Sequence, residues 1–386
     1  MAQRSVKFDK ITVDNGLSQS NINWILQDAQ GFLWFATNGG LNRFDGSQFK
    51  TYIHNDADSN SISNNIINHI YEDDHGKIWV STQNGLNVYD KSLEIFTLFK
   101  GELNSSIGLS NNQITCTIKD NFGNYWIGTS GGGLTKYNPK SNIYITYRNI
   151  IKNPQSLSSN YITCLEKDKY GFIWIGTADN GINMLEPGSG KLLRYVKSDI
   201  NSNQSLSNNQ IHTIYEDNDG DLWIGTAAGI DLLKPTKNGR NLNNRDEIIN
   251  FHRKVIPNNS AASNSILSIY QRASGLIWFG TVDNGLGFLD KYTRAVGNFI
   301  IDPNSDFSVL SNNVTSVFED RSGILWIGTN AGINMIDIQS DRFTWHKRIP
   351  GISNTFSSNN IQAIYKENNG VLWLGTYDKG LTKYDP

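Results

Sequence analysis

The carboxylates of this sequence recur at one fixed place in a repeat, and this bears on any catalytic role. In seven of eight copies a carboxylate stands three residues before a glycine and six before a tryptophan: Asp28, Asp73, Asp120, Asp168, Asp217, Asp320 and Glu367. Acid–base catalysis needs individual groups with tuned surroundings, whereas these positions are equivalent. An aspartate there can accept backbone N–H groups of its own turn. We therefore assign these carboxylates to turns. The sixth copy has Arg272 instead.

No other cluster of reactive side chains stands out. The two cysteines, Cys116 and Cys164, fit neither a disulfide framework nor a zinc site. They occupy the same position of consecutive repeats, which gives poor geometry for a disulfide, so both are expected to be small buried residues. The sequence predicts no catalytic residue, no metal site and no cofactor, and hence a chain that is not an enzyme.

Ligand contacts are expected where the copies differ. Trp24 and His69 replace a small residue of the innermost strand, and His212 lies one position earlier in its own repeat. Aromatic rings beside polar groups suit a sugar or an acidic saccharide, through stacking and directed polar contacts. The alternative for each residue is ordinary surface and packing variation. The predicted ligand site, at the channel mouth on the face of the opening turns, comprises Trp24, Arg43, His69, His212, Tyr377 and Asp378.

The elements that position these residues follow from the repeat itself. A glycine lies three residues before, and a threonine three residues after, each of eight tryptophans: Trp34, Trp79, Trp126, Trp174, Trp223, Trp278, Trp326 and Trp373. In one copy, turn residues separate four apolar segments: Ile114 to Ile118, Tyr125 to Thr129, Leu134 to Tyr137 and Ile143 to Tyr147. Four short antiparallel strands at a period of about 48 residues are typical of a β-propeller blade. The tryptophans are expected in the core.

The chain ends decide how many blades the ring has. The segment from Val6 to Ile11 alternates like a lone outer strand, and the last repeat ends on a third strand, Leu381 to Tyr384. Pairing the two would complete an eighth blade and leave no open edge. The sequence predicts an all-β, eight-bladed propeller that forms one domain over residues 1–386. The alternative is a seven-bladed ring with one extra repeat.

Composition and charge exclude several partners. The 386 residues carry a net charge of −2 and no basic run, which argues against nucleic acid. No stretch of 18 apolar residues is present, so no membrane insertion of this segment is expected. The first five residues do not resemble a signal peptide, so we expect either a cytosolic protein or one whose leader was removed.

The repeat resembles the two-component regulator propeller repeat. The resemblance rests on Leu206 to Ile211, on Asp217 to Thr226, and on the opening Gly16-Leu17-Ser18. It implies a periplasmic or extracellular sensor portion of a bacterial receptor, commonly a hybrid histidine kinase that detects carbohydrate fragments. A small molecule or oligosaccharide would then be the ligand. A protein-interaction scaffold, such as a homodimer, is one alternative, and a glycan-active enzyme with paired carboxylates is another.

Overall fold

The fold is known from a computed structural model of the chain. It describes residues 8–101, 108–197, 205–236, 239–240, 242, 247–250, 264–272, 275–302, 308–337, 357–358, 360–367 and 370–384. The sequence predicts one domain over residues 1–386, whereas the contacts divide the chain into two compact units, Met1–Asp337 and Ile338–Pro386. The described elements are β-strands and a short 3₁₀ helix, Val13–Asn15.

The first unit contains strand β1 (Asp9–Ile11) and seven blades. Blade 1 comprises β2 (Ile22–Gln27), β3 (Leu33–Thr37), β4 (Gly40–Phe44) and β5 (Phe49–Tyr52). Blade 2 comprises β6 (Ile67–Glu72), β7 (Ile78–Thr82), β8 (Gly85–Asp90) and β9 (Ile95–Phe99). Blade 3 comprises β10 (Ile114–Lys119), β11 (Tyr125–Thr129), β12 (Leu134–Asn138) and β13 (Ile143–Tyr147). Blade 4 comprises β14 (Ile162–Lys167), β15 (Ile173–Thr177), β16 (Ile182–Leu185) and β17 (Leu192–Tyr195).

The remaining blades follow the same order. Blade 5 comprises β18 (Ile211–Glu216), β19 (Leu222–Thr226), β20 (Gly229–Lys234) and β21 (Glu247–Asn250). Blade 6 comprises β22 (Ile266–Gln271), β23 (Leu276–Thr281), β24 (Leu286–Asp290) and β25 (Val296–Phe299). Blade 7 contributes β26 (Val314–Glu319), β27 (Ile324–Thr329) and β28 (Gly332–Asp337). Neighbouring strands within each blade are antiparallel, so the predicted all-β fold of antiparallel propeller blades is confirmed.

The turn between the first two strands of a blade is held by its carboxylate, as the sequence predicts. In blade 1, one oxygen of Asp28 accepts the backbone N–H groups of Gln30 and Phe32, each at 3.0 Å. Its other oxygen accepts the indole N–H of Trp34 at 2.9 Å. Gly31 has φ +101°, a conformation that favours glycine, which explains the glycine of the repeat. The carboxylate therefore joins the turn to the core tryptophan, a bond that the spacing alone did not predict.

The recurring threonine closes the next loop. The hydroxyl of Thr37 donates to the carbonyl of Gly40 at 2.7 Å and accepts the N–H of Gly39 at 3.0 Å. Its side chain is fully buried. Because the hydroxyl satisfies backbone groups that the tight loop leaves unpaired, the repeat keeps threonine at this position.

The core lies between blades. Trp34 is fully buried and packs against Ile67, Ile70 and Ile78 of blade 2. The inner strands also bond to one another, since the amide of Asn23 donates to the carbonyl of Ile67 at 2.7 Å. The tryptophans of all seven blades are buried, which confirms their predicted core role.

The ring of the first unit closes between blades 7 and 1. The hydroxyl of Thr315 on β26 donates to the carbonyl of Ile22 on β2. The inner strands thereby form a continuous series around a central channel, in the order β2, β6, β10, β14, β18, β22, β26 and back to β2.

The N-terminal strand completes blade 7, which corrects the predicted closure. Strand β1 pairs with β28, with Asp9 opposite Met335 and Ile11 opposite Ile333. Ile11 is buried in a cluster with Trp326. The predicted eight-bladed closure is therefore wrong, and the seven-bladed alternative describes the first unit. Residues 6 and 7 of the predicted strand lie outside the described residues.

The second unit holds the eighth repeat. Its described strands are β29 (Ile361–Lys366), β30 (Leu372–Thr376) and β31 (Gly380–Tyr384), in one three-stranded sheet. The indole N–H of Trp373 donates to Glu367 at 2.6 Å, so the repeat keeps its local chemistry. Ile364 and Tyr365 are each 67% exposed, unlike their counterparts in the ring.

Candidate functional site

Trp24 and His69 form an aromatic pair on the inner strands of blades 1 and 2. Their ring centroids lie 4.4 Å apart at an interplanar angle of 50°. Both follow a β-bulge, since the register shifts between Ile22 and Trp24 and between Ile67 and His69. Equivalent positions on adjacent strands bring the two rings together, as the repeat alignment predicts.

Trp24 differs from its counterparts in exposure. The indole-bearing residue is 38% exposed, whereas His69 and the equivalent Cys116, Thr213, Ser268 and Ser316 are buried. A large aromatic side chain normally loses most of its exposed area in a core. Trp24 therefore offers an apolar surface on the channel wall on which a ligand ring can stack.

His69 is buried beside that surface and is electrically neutral. Burial lowers the pKa of its imidazole to about 3, because a charged ring would lose its hydration. Its Nδ1 atom has no hydrogen-bond partner among the described residues. A buried polar atom without a partner is uncommon in a folded protein and calls for a ligand or a water molecule.

His212 lies on the inner strand of blade 5. Its Nε2 atom is 3.0 Å from the hydroxyl of Ser265, and burial lowers the pKa of the imidazole. Its described contact is thus with the start of blade 6 and not with the Trp24–His69 pair.

Arg43 lies toward the other end of blade 1. It stands opposite Trp34 on the neighbouring strand, and its Cζ atom is 4.6 Å from the ring centroid of Phe32. Phe32 closes the turn that begins at Asp28. The structure therefore does not bring Arg43 together with Trp24 and His69.

Tyr377 and Asp378 belong to the second unit. They lie on the loop between β30 and β31, as predicted, and Tyr377 is 77% exposed. The backbone N–H of Tyr377 donates to the carbonyl of Asn360 at 3.1 Å.

A second set of inner-strand residues was missed by the sequence reasoning. The fifth residue of each inner strand is large and, in five of the seven blades, partly exposed and aromatic or acidic: Tyr71, Glu166, Tyr215, Tyr270 and Phe318. The ring centroids of Tyr215 and Tyr270 lie 5.8 Å apart, and those of Tyr270 and Phe318 lie 6.1 Å apart. The aromatic members recur from blade to blade, so a search for differences between copies overlooked them.

Glu166 is the acidic member of this set. Burial, followed by repulsion from Glu216, raises the pKa of its carboxyl group to about 8. The nearby Arg240 lies 3.6 Å from carboxylate oxygens of both Asp168 and Glu216. Three carboxyl groups therefore lie close together between blades 4 and 5, near the carboxylate turn of blade 4.

Another cavity, of about 980 Å³, lies between blades 2 and 3 near the carboxylate turns. Several polar groups that line this cavity form hydrogen bonds between the two blades. The Lys119 ammonium is 2.7 Å from Asp74, and the Tyr125 hydroxyl donates to Asp73 at 2.8 Å. We therefore regard the channel as the better candidate site.

Among the described residues, no group of three or more His, Cys, Asp or Glu side chains could hold a metal ion. Within the same residues, no helix has the length and apolar character needed to cross a membrane.

Comparison with known proteins finds a short matching segment and several similar folds. A 54-residue segment, 14% of this chain and 4% of the relative, is 50% identical to Histidine kinase P4 of Formosa agariphila. The extracellular domain of a hybrid two component system from B. thetaiotaomicron is similar over 98% of this chain, with 25% identity and a TM-score of 0.72. This chain spans 53% of that domain, about half its length.

A different neighbour shares the fold alone. Virginiamycin B lyase from Staphylococcus aureus is 14% identical, with a TM-score of 0.61, over 86% of this chain and 98% of the lyase. Fold likeness at this level carries no statement about activity.

The family model described as two component regulator propeller matches seven segments, at residues 16–39, 61–84, 108–131, 156–179, 205–228, 308–331 and 355–378. The matches fall on the opening turn and first two strands of each matched repeat, and the sixth repeat, which has Arg272 in place of the carboxylate, is outside them. Six of the matched segments lie in blades of the ring and one lies in the second unit, so this chain carries two-component regulator propeller repeats.

Proposed function

We propose that this chain is a ligand-sensing, extracytoplasmic propeller of a bacterial signal-transduction receptor. The similar extracellular domain of a hybrid two component system supports this role and this location. The short match to a histidine kinase supports an output of the same kind in a longer protein. In this proposal the propeller itself binds its ligand without catalysis.

The ligand that we propose is a carbohydrate fragment held in the channel of the first unit. The observation that carries this proposal is the 38% exposed Trp24 beside His69, whose Nδ1 atom has no hydrogen-bond partner among the described residues. Saccharides present apolar C–H faces that stack on aromatic rings and hydroxyls that bond to polar atoms.

The experiment is a calorimetric titration of a panel of defined oligosaccharides against the parent and two variants. Trp24→Ala removes the stacking surface and is expected to weaken binding at least tenfold, about 1.4 kcal/mol. Phe122→Ala is the matched control, because Phe122 is 67% exposed on a turn outside the inner strands. Equal affinity of the parent and Trp24→Ala would place the ligand elsewhere.

The alternatives give different results in the same panel. A protein-interaction or dimerisation scaffold would bind no saccharide and would show a concentration-dependent mass in solution. A glycan-active enzyme would cleave a bound oligosaccharide, and mass spectrometry of the titrated glycan would detect the shorter products.

A further inference from the structure

We propose that the channel of the first unit selects a neutral, hydroxyl-rich saccharide and rejects anionic ones, with His69 as the residue that determines this specificity. This inference rests on the proposed function and names the ligand class that the same site would take.

The first step is the chemistry that His69 presents. The residue is 8% exposed and packs against Trp24. A neutral imidazole carries one donor and one acceptor nitrogen, and the tautomer can match its partner. A sugar hydroxyl is likewise both a donor and an acceptor, so it can satisfy the unpartnered Nδ1 in either tautomer. An ionised carboxylate can only accept hydrogen bonds, and a neutral imidazole provides no positive charge to pair with it.

The second step is the charge of the surrounding wall. Among the described inner strands of the first unit, the lysines are Lys119 and Lys167, and both contact neighbouring turns. The Lys119 ammonium is 2.7 Å from Asp74, and the Lys167 ammonium is 3.0 Å from the side-chain oxygen of Asn121. A uronic acid or sulfated sugar would therefore find no uncommitted cation on these strands.

Three carboxyl groups lie close together between blades 4 and 5. Glu166 stands on β14 and is partly exposed, and Glu216 and Asp168 share the single guanidinium of Arg240. An anion brought beside Glu166 would lose hydration without gaining a free cation, and it would further disfavour ionisation of that carboxyl group. Rejection through an unfavourable contact is a common basis of specificity. Arg43, the cation that the sequence suggested, lies over Phe32 instead.

The test uses matched pairs of oligosaccharides that differ in one oxidised carbon: galactose and galacturonate oligomers, and glucose and glucuronate oligomers of equal length. Titration calorimetry of the parent is expected to show at least tenfold tighter binding of a neutral member than of its acidic partner. Above pH 8, where Glu166 is ionised, Glu166→Gln removes a negative charge and should narrow that ratio of affinities.

Two substitutions of His69 separate specificity from simple packing. His69→Asn keeps a polar atom near the position of Nδ1 and should retain neutral-sugar binding. His69→Leu fills the site with an apolar side chain and should lose binding at least tenfold, while a melting scan establishes that it folds.

The outcomes distinguish this inference from the proposed function. An acidic member that binds as tightly as its neutral partner, with loss of binding in Trp24→Ala, would overturn the selectivity and leave the sensing role standing. Binding of neither kind would overturn the carbohydrate ligand and the selectivity together. Full binding by His69→Leu would remove His69 from the site.

Discussion

The indole N–H of Trp278 lacks the carboxylate acceptor of its counterparts because Arg272 stands six residues before it. The Arg272 guanidinium instead approaches Glu319 of blade 7 to 3.0 Å. Blade 6 has thus exchanged a bond within the blade for an ion pair between blades.

This exchange predicts unequal costs for the same substitution at two blades. Trp326→Phe removes a 2.8 Å bond to Asp320, whereas Trp278→Phe removes a donor without an acceptor in the described residues. We expect Trp326→Phe to cost about 1–3 kcal/mol more in the free energy of unfolding. The two tryptophans are similarly buried, so urea denaturation of both variants is a matched comparison. Equal urea midpoints of the two variants would show that the hydrogen bond from Trp326 to Asp320 contributes no net stability.

Lys291 holds three carboxylates, which predicts a pH-dependent loss of stability when it is replaced. Its ammonium lies 2.7 Å from Asp217, 2.7 Å from Asp219 and 2.8 Å from Asp221. Lys291→Met is expected to lower the free energy of unfolding by about 1–3 kcal/mol at pH 7.

The sign of the pH effect follows from the aspartates. The hydrogen bond from Lys291 holds the pKa of Asp219 below its ordinary value of 3.8. A lowered pKa stabilises the fold above that ordinary value, and this contribution is lost as the pH falls through the folded-state pKa. The deficit of Lys291→Met should therefore be full above pH 5 and shrink toward pH 3. Lys50→Met, at an exposed pair with Glu94, should cost little at any pH. A deficit that is constant with pH would contradict the electrostatic account.

Glu166 predicts the opposite pH dependence. Because its pKa is raised from 4.5 to about 8, ionisation is unfavourable in the folded state. The parent should lose stability as the pH rises from about 4.5 through 8, while Glu166→Gln lacks this loss. We expect the melting temperatures of the two proteins to agree near pH 4 and the variant to be more stable at pH 9. A parallel pair of curves from pH 4 to 9 would mean that Glu166 is ionised at ordinary cost.

The closure of the ring predicts a specific cross-link. Asp9 and Met335 are partners across β1 and β28, so the double variant Asp9→Cys/Met335→Cys should form an intrachain disulfide. Non-reducing electrophoresis and peptide mapping detect it, and the bond should raise the unfolding midpoint. The single variant Asp9→Cys is the control for a disulfide with a native cysteine. Cys116 is a poor partner for such a disulfide, because it is buried and burial raises the pKa of its thiol to about 12. Absence of the cross-link under oxidising conditions would argue against seven-bladed closure.

The blades were predictable because their chemistry is local. The predicted strand Tyr125 to Thr129 is observed with the same bounds, and Ile114 to Ile118 is longer by one residue. Gly123 and Asp120 specify the turn between them through contacts within a few residues. The glycine recurs in eight repeats and the carboxylate in seven, which made the prediction strong.

The closure was not predictable in the same way. The segments that became β28 and β31 both begin with a glycine followed by an apolar residue, so either could have accepted the N-terminal strand. What distinguishes them is the packing of Ile11 with Trp326 and Ile333, which depends on how many blades the ring accommodates. No local pattern contains that information.

The candidate site was predictable in part. Trp24 and His69 were predicted together because equivalent positions of adjacent blades are neighbours in space. The position of Arg43 was predicted wrongly because the sequence indicates its strand but not its position along that strand. The register with Trp34 fixes that position. Tyr270 and its ring contacts were missed because the search favoured residues that differ between copies.

The pairing of β1 with β28 also bears on how the protein is made. A chain synthesised from its N-terminus produces β1 first, but the strand that β1 pairs with emerges more than 300 residues later. Contacts of such sequence separation form slowly, because a long loop must close before they contribute. Until then the nascent ring keeps open edges and unburied blade faces, which are prone to aggregation. The final folding step of the first unit therefore waits for translation of its seventh blade.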